Sequence, residues 1–172
     1  LTVNGRKMAK SEGNGFTPEE LISGSHPLLE RGYSAMTVRF FMLQGHYAST
    51  LDFSNAALQA AEKGLERLMK SLETLKKLPA TSDKDNAAAK IDELSNRCAT
   101  AMGDDFNTPI VISVLFGAVK LINKVQDGQL AISKTQKDAL QSMIDGYVFD
   151  VLGLEVEGVA KTEESDETGP LL

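Results

Sequence analysis

Leu58, Ala61, Leu65, Leu68, Leu72 and Leu75 recur at steps of three or four residues, a seam that only an α-helix can lay along one face. A strand buries alternate residues, so the pattern excludes a sheet over this stretch. A leucine stripe of that length must also be covered, which predicts a second helix packed along it. Ser54 stands where the helix needs a capping hydroxyl, and Pro79 stops it. Around the seam, Lys63, Glu66, Arg67, Lys70, Glu73, Lys76 and Lys77 mix both signs at helical spacing, which reads as a solvated salt-bridge face in preference to a binding face.

The covering helices follow in the chain. Ala87, Ile91, Leu94, Cys98 and Met102 make a second stripe closed by Gly103. Val111, Ile112, Leu115, Ala118, Val119, Ile122 and Val125 make a broader one, stopped by Asp127-Gly128. Ser133 and Gln136 form a capping box ahead of a third, with Leu140, Met143, Ile144, Tyr147, Val151 and Leu152 before Gly153. The expected fold is mainly α, an antiparallel helical bundle over 54–154. In Asp104-Asp105-Phe106-Asn107-Thr108-Pro109, Thr108 is the expected cap and Pro109 the first helical residue; the acidic pair reads as turn and capping chemistry, since no third ligand is near. Ala80 to Asn86 reads as a polar linker, and 155–172 as a disordered acidic tail.

Ahead of the bundle, Leu1-Thr2-Val3 and Arg6-Lys7-Met8 flank Asn4-Gly5, the dipeptide most favoured in a two-residue hairpin turn. This hairpin is expected to be the last fragment of an upstream α/β domain ending near residue 16, and Leu1 to lie inside a longer chain. Residues 17–53 form a separate region. Thr17-Pro18-Glu19-Glu20 caps a short helix to about Ser23, Gly24 to Pro27 breaks it, and residues 27–31 can add one turn. Ser34 caps a mostly buried helix from Ala35 to Leu43, whose one charged member, Arg39, is either a snorkelling rim residue or a contact to an anionic backbone. Residues 45–53 read as an ordered loop with aromatic anchors.

No apolar run approaches bilayer-spanning length. Cys98 is the only cysteine, so neither an internal disulfide nor a cysteine-based metal cluster can form, and a reducing, cytoplasmic setting fits. His26 and His46 lack partners at ligand spacing and read as surface or interface residues, and no residue is assigned to a metal. The net charge of −6 is concentrated at the end: residues 151–172 carry one lysine against six carboxylates. The body is nearly neutral and can present a local basic face.

Chemistry is concentrated in Lys7-Met8-Ala9-Lys10-Ser11-Glu12-Gly13-Asn14. Two ammonium groups within four positions, with no apolar period around them, suit a polyanion such as phosphate. Gly13 and Gly15 let the loop bend, Asn14 tolerates left-handed backbone, and the loop is expected to open and close. It is not a Walker loop, because no glycine precedes the lysines in the required order.

Three stretches together resemble the cysteinyl-tRNA synthetases, a family of class I aminoacyl-tRNA synthetases. Lys7-Met8-Ala9-Lys10-Ser11 is similar to their KMSKS signature; Arg39-Phe40-Phe41 through His46-Tyr47 and Ser49 to Ser54 resembles their stem-contact region; Asp104 to Pro109 resembles a turn inside their helical, DALR-like anticodon-binding region. The match extends to about Leu154 and corresponds to the C-terminal part of the family. It implies ATP-dependent activation of cysteine and transfer to tRNA(Cys). Lys7 and Lys10 would be catalytic, and Lys7, Met8, Ala9, Lys10 and Ser11 would contact ATP. Arg39 and Tyr47 would contact tRNA. ATP with Mg2+ is implied, as is Zn2+ in the full-length protein, whose zinc ligands and HIGH motif lie upstream; no membrane or DNA partner is implied. Ala9 replaces the family's serine and Ala48 a frequent arginine, and the spacing between Leu21 and Ala35 is longer than usual. Tyr47, Phe106 and Tyr147 are aromatic candidates for base contacts, with core packing the expected fate of each. The competing reading is a non-catalytic interaction module whose Leu58 to Leu75 seam recruits another protein's helix.

Overall fold

The computed structural model describes residues 1–80 and 87–156. Of the expected linker, 80–86, and the expected acidic tail, 155–172, residues 81–86 and 157–172 lie outside the described residues. Among the described residues are six α-helices, α1 (Pro18–Ser23), α2 (Ala35–Leu43), α3 (Asn55–Lys77), α4 (Ala88–Gly103), α5 (Thr108–Gln126) and α6 (Lys134–Asp145), and one small sheet of β1 (Thr2–Val3) and β2 (Arg6–Lys7), ahead of α1, with β3 (Asp52–Phe53), between α2 and α3.

The leucine seam is consumed inside the molecule. Leu58, Ala61, Leu65, Leu68, Leu72 and Leu75 are all buried, and α3 packs against α2, α5 and α6 while α4 lies along α5. No stripe is left on α3 to recruit a foreign helix, so the interaction-module reading loses its surface. Helix α5 is long and apolar enough to cross a bilayer by length and composition, contrary to expectation from the sequence. Its apolar residues are spent on neighbours instead, with Val111, Ile112, Val114, Leu115, Ala118, Val119, Leu121 and Ile122 buried in the common core.

Two boundaries differ from expectation. Asn107, one residue ahead of Thr108, caps α5, its side chain accepting from the Ile110 N–H. Asp105 and Phe106 both adopt left-handed backbone, which turns the chain early and frees Thr108 to donate its hydroxyl to the Leu43 carbonyl (2.8 Å). After α6 the chain continues as a π-helical turn, Gly146–Val151. Wider winding keeps residues four apart on one face, so Leu140, Ile144, Val148 and Leu152 are buried in succession and Val151, expected in the core, is exposed.

Asn4 and Gly5, both at positive φ, make the expected hairpin turn, pairing Thr2 with Lys7 and Val3 with Arg6. Residues 52–53, expected to be loop, form a third strand. Phe53 pairs in parallel with Val3, and both side chains are buried. A two-residue strand has no period to read, and only the partner strand reveals it. The Asp52 carboxylate accepts from the Thr2 hydroxyl (2.6 Å) and the Gly5 N–H (2.8 Å), which hold it below the usual aspartate range. Because Ser54 caps α3 immediately afterwards, β3 couples the hairpin to the bundle's first helix.

The segment between α1 and α2 docks on the start of α3 through a bidentate Arg31–Glu62 pair and through Asn55, which accepts from the Glu30 N–H and donates to the Leu28 carbonyl. Gly24 makes this close approach possible: at φ 73°, a Cβ there would fall 2.2 Å from the Gly32 nitrogen.

Candidate functional site: the two-lysine loop and the aromatic turn

Beyond β2 the chain extends through Ala9 and closes a single 3-10 turn, Lys10–Glu12, ended by Gly13 at φ 61°. Within the turn, Glu12 N–H donates to Ala9 C=O and Gly13 N–H to Lys10 C=O, both at 3.1 Å. Gly13 supplies the left-handed residue. Asn14 and Gly15, expected to help bend the backbone, are not at positive φ. Asn14 acts instead through its side chain. It is 9% exposed, accepts from the Ala9 N–H (2.8 Å) and donates to the Lys7 carbonyl (3.0 Å). One amide thus staples both sides of the loop, a role that asparagine fills because it carries donor and acceptor together.

Lys7 and Lys10 are exposed, as is Ser11, while Met8 is half-buried against the core and Ala9 is half-buried. Lys7 lines a groove of about 750 Å³ together with Arg6, Ala9, Glu12, Asn14 and His26; Lys10, on the 3-10 turn, is not among the lining residues. From the sequence Arg6 reads only as a strand residue. His26 is buried, not superficial: its ring stands edge-on to Phe16 (4.7 Å between centroids) and its Nδ1 accepts from the Leu28 N–H (3.2 Å). The chain turns back after His26 so that the Leu28 N–H reaches the ring, which no spacing rule anticipates.

The second group of residues lies where the loop after α2 meets the turn between α4 and α5. His46 stacks on Tyr47 (4.7 Å, 28°), and the Tyr47 hydroxyl donates to the Asp105 carboxylate (2.5 Å), a bond that raises the phenol above its ordinary pKa. His46 also faces the other oxygen of Asp105 at 3.9 Å. Tyr47 is 70% and Phe106 67% exposed, against the expectation that both pack in the core; Tyr147 is half-buried and conforms to it. Asp105 and Phe106 hold left-handed backbone without being glycine, a strained arrangement of the kind that collects at functional sites.

Arg39 is committed within the fold. Its Nε–H donates to the Leu152 carbonyl (2.8 Å), and Gly153, at φ 59°, leaves room for the guanidinium where a Cβ would come within 2.6 Å of Nη2. The arginine therefore ties α2 to the end of the π-helical turn. Burial pushes the Cys98 thiol up to about 11, so it is a packed, protonated side chain at neutral pH. Among the described residues no group of three His, Cys, Asp or Glu side chains converges as a metal site, and none is assigned to zinc or magnesium.

Residues 97–157 match the DALR domain family. The chain is 48% identical over 171 residues to a cysteine--tRNA ligase of Parabacteroides distasonis, covering 98% of this chain and 34% of the relative. It is 50% identical over 159 residues to that of Bacteroides fragilis, covering 91% and 31%, and 36% identical over 165 residues to that of Chlorobium chlorochromatii, covering 96% and 32%. The chain thus spans about a third of the length of the curated relatives it matches. Over that third, through a mainly helical DALR-type bundle preceded by a hairpin and a two-lysine loop, the chain belongs to the cysteine--tRNA ligase family.

Proposed function

We propose that this chain supplies the ATP-phosphate loop and the tRNA-binding bundle of an enzyme that activates cysteine with ATP and transfers it to tRNA(Cys) in the cytoplasm. The observation that carries the proposal is the exposed Lys7 and Lys10 on a loop held at its base by the buried Asn14, beside a groove large enough for a nucleotide's phosphates. In adenylate formation the cysteine carboxylate attacks the α-phosphorus, and the bond to pyrophosphate breaks. Charge then builds on the departing phosphates. A positioned ammonium stabilises that charge more than it stabilises bound ATP, which is the condition for lowering the barrier. Lys7 sits on a paired strand and serves as the fixed cation. Lys10 sits on a turn held only by local bonds, so it serves as the cation that swings in as the loop closes. Arg6 adds positive potential to the groove. Met8 and Ala9 form the loop's inner wall, and Ser11 is left to bond the bound nucleotide.

The tRNA contacts fall on the bundle and on the aromatic turn. Tyr47 and Phe106 offer exposed ring faces on which bases or riboses can stack, and Asp105 holds Tyr47 in place. Arg39, committed through Nε to Leu152, offers only its outer N–H groups to a phosphate. Coupling between the two regions runs through β3, which pairs with the hairpin and leads into α3.

Aminoacylation tests the proposal directly. The intact protein should charge tRNA(Cys) with cysteine in the presence of ATP and release pyrophosphate. A protein that charges tRNA with another amino acid, or with none, would reject it.

A further inference from the structure

The molecule is acidic overall, yet one groove along the bundle is lined by cations. Its two halves share Gly117 and Lys120. Lys90 and Lys124 stand on one half and Arg97 on the other, with Glu93 the one carboxylate lining either, and that carboxylate lies 3.7 Å from Arg97. Four cations therefore face one carboxylate. The floor is apolar, formed by Leu94, Leu121 and Ile112, and Arg67 lies over the Phe116 ring at 5.9 Å. Gly117 lets α5 pack closely on α4 at this floor, since a Cβ there would stand 3.2 Å from Leu94 Cδ2.

We infer that this α4–α5 groove is the path of the tRNA phosphodiester backbone across the bundle. Lys120 and Lys124 are four residues apart on one helix face, about 6 Å along the axis, a separation suited to successive phosphates. The groove's other end reaches Gln44 and Pro109, beside the aromatic turn, so one strand can run from the stacking faces onto the lysines. An apolar floor with a cationic rim accommodates sugar edges below and phosphates at the sides. An acidic polypeptide would satisfy the lysines but has no use for the aromatic faces in line with them. This inference rests on the tRNA-binding reading above and adds to it the face and the residues that take the backbone.

The test is the salt dependence of tRNA(Cys) affinity for the intact protein. Each phosphate contact contributes about 0.7 to 0.9 to the slope of log affinity against log salt. The double variant Lys120→Gln/Lys124→Gln should therefore flatten the slope by roughly 1.5 and weaken binding at low salt. Lys63→Gln/Lys70→Gln, on the exposed side of α3, removes the same charge outside the groove and should leave the slope unchanged. Thermal melts of both variants show whether the bundle is intact. If both double variants lower the slope equally, or neither does, the groove is not the path. If the unaltered protein itself fails to bind tRNA at low salt, the tRNA-binding reading fails first, so the two failures are distinguishable.

Discussion

Replacing Asn14 by alanine isolates what the loop's geometry contributes to chemistry. The buried amide makes two hydrogen bonds, one to each limb of the loop, and alanine removes both without touching either lysine. At about 0.5 to 1.5 kcal/mol net per bond, the stapled arrangement loses about 1 to 3 kcal/mol relative to open ones. If only the stapled loop is competent, kcat/KM for cysteine-dependent ATP–pyrophosphate exchange should fall by about 5-fold to 150-fold. Asn14→Asp should be similarly impaired. It keeps an acceptor for Ala9 but sets a carboxylate against the Lys7 carbonyl. The bundle core lies elsewhere, so the Tm of either variant should fall by no more than the ~2 to 12 °C that a loss of this size produces. Exchange at the wild-type rate in Asn14→Ala, with Tm also unchanged, would show that the loop is positioned by something other than this amide.

The remaining expectations concern the sheet, the aromatic turn and the arginine clamp. Phe106→Gly should relieve about 1 to 2 kcal/mol of left-handed strain and hold or raise Tm, while tRNA affinity falls by the ~1 to 3 kcal/mol of a lost stacking contact; a variant that gains stability and keeps full affinity would remove Phe106 from the RNA surface. Gly153→Ala should destabilise the protein by about 1 to 2 kcal/mol or more, because the new methyl meets both the left-handed backbone and the Arg39 guanidinium, and a denaturant midpoint reads the loss. Asp52 is held below its ordinary pKa by Thr2 and Gly5, so its stabilisation is present above that value and lost as pH falls through the lowered one. The Tm gap between wild type and Asp52→Asn should therefore be open above about pH 4 and close on further acidification, and a gap independent of pH would contradict the assignment.

The bundle was legible because its helices announce themselves twice, by period and by cap. Ser54, Ser34, Ser133 and Thr17 all cap as their spacing indicates, and each leucine of the α3 seam is buried. The misreadings share another cause. Val151 left the core because π winding changed the period, and Thr108 lost the cap because two non-glycine residues took a left-handed turn. Strand β3 and the burial of His26 depend on partners distant in sequence or on folding-back of the chain, which local pattern does not encode. In the candidate site, the lysines could be read from charge and spacing alone. Asn14 could not, because its value lies in two bonds across a loop whose shape the sequence leaves open; Tyr47 and Phe106 read as core residues because aromatic side chains are usually mostly buried.

The two-lysine loop is the centre of this account, and pyrophosphate exchange before and after Lys10→Ala tests it most directly. The intact protein should catalyse cysteine-dependent exchange, and the variant should lose about a hundredfold to a thousandfold in kcat with cysteine binding largely unchanged. Exchange in Lys10→Ala at the unaltered rate would contradict the assignment of the loop to the ATP phosphates.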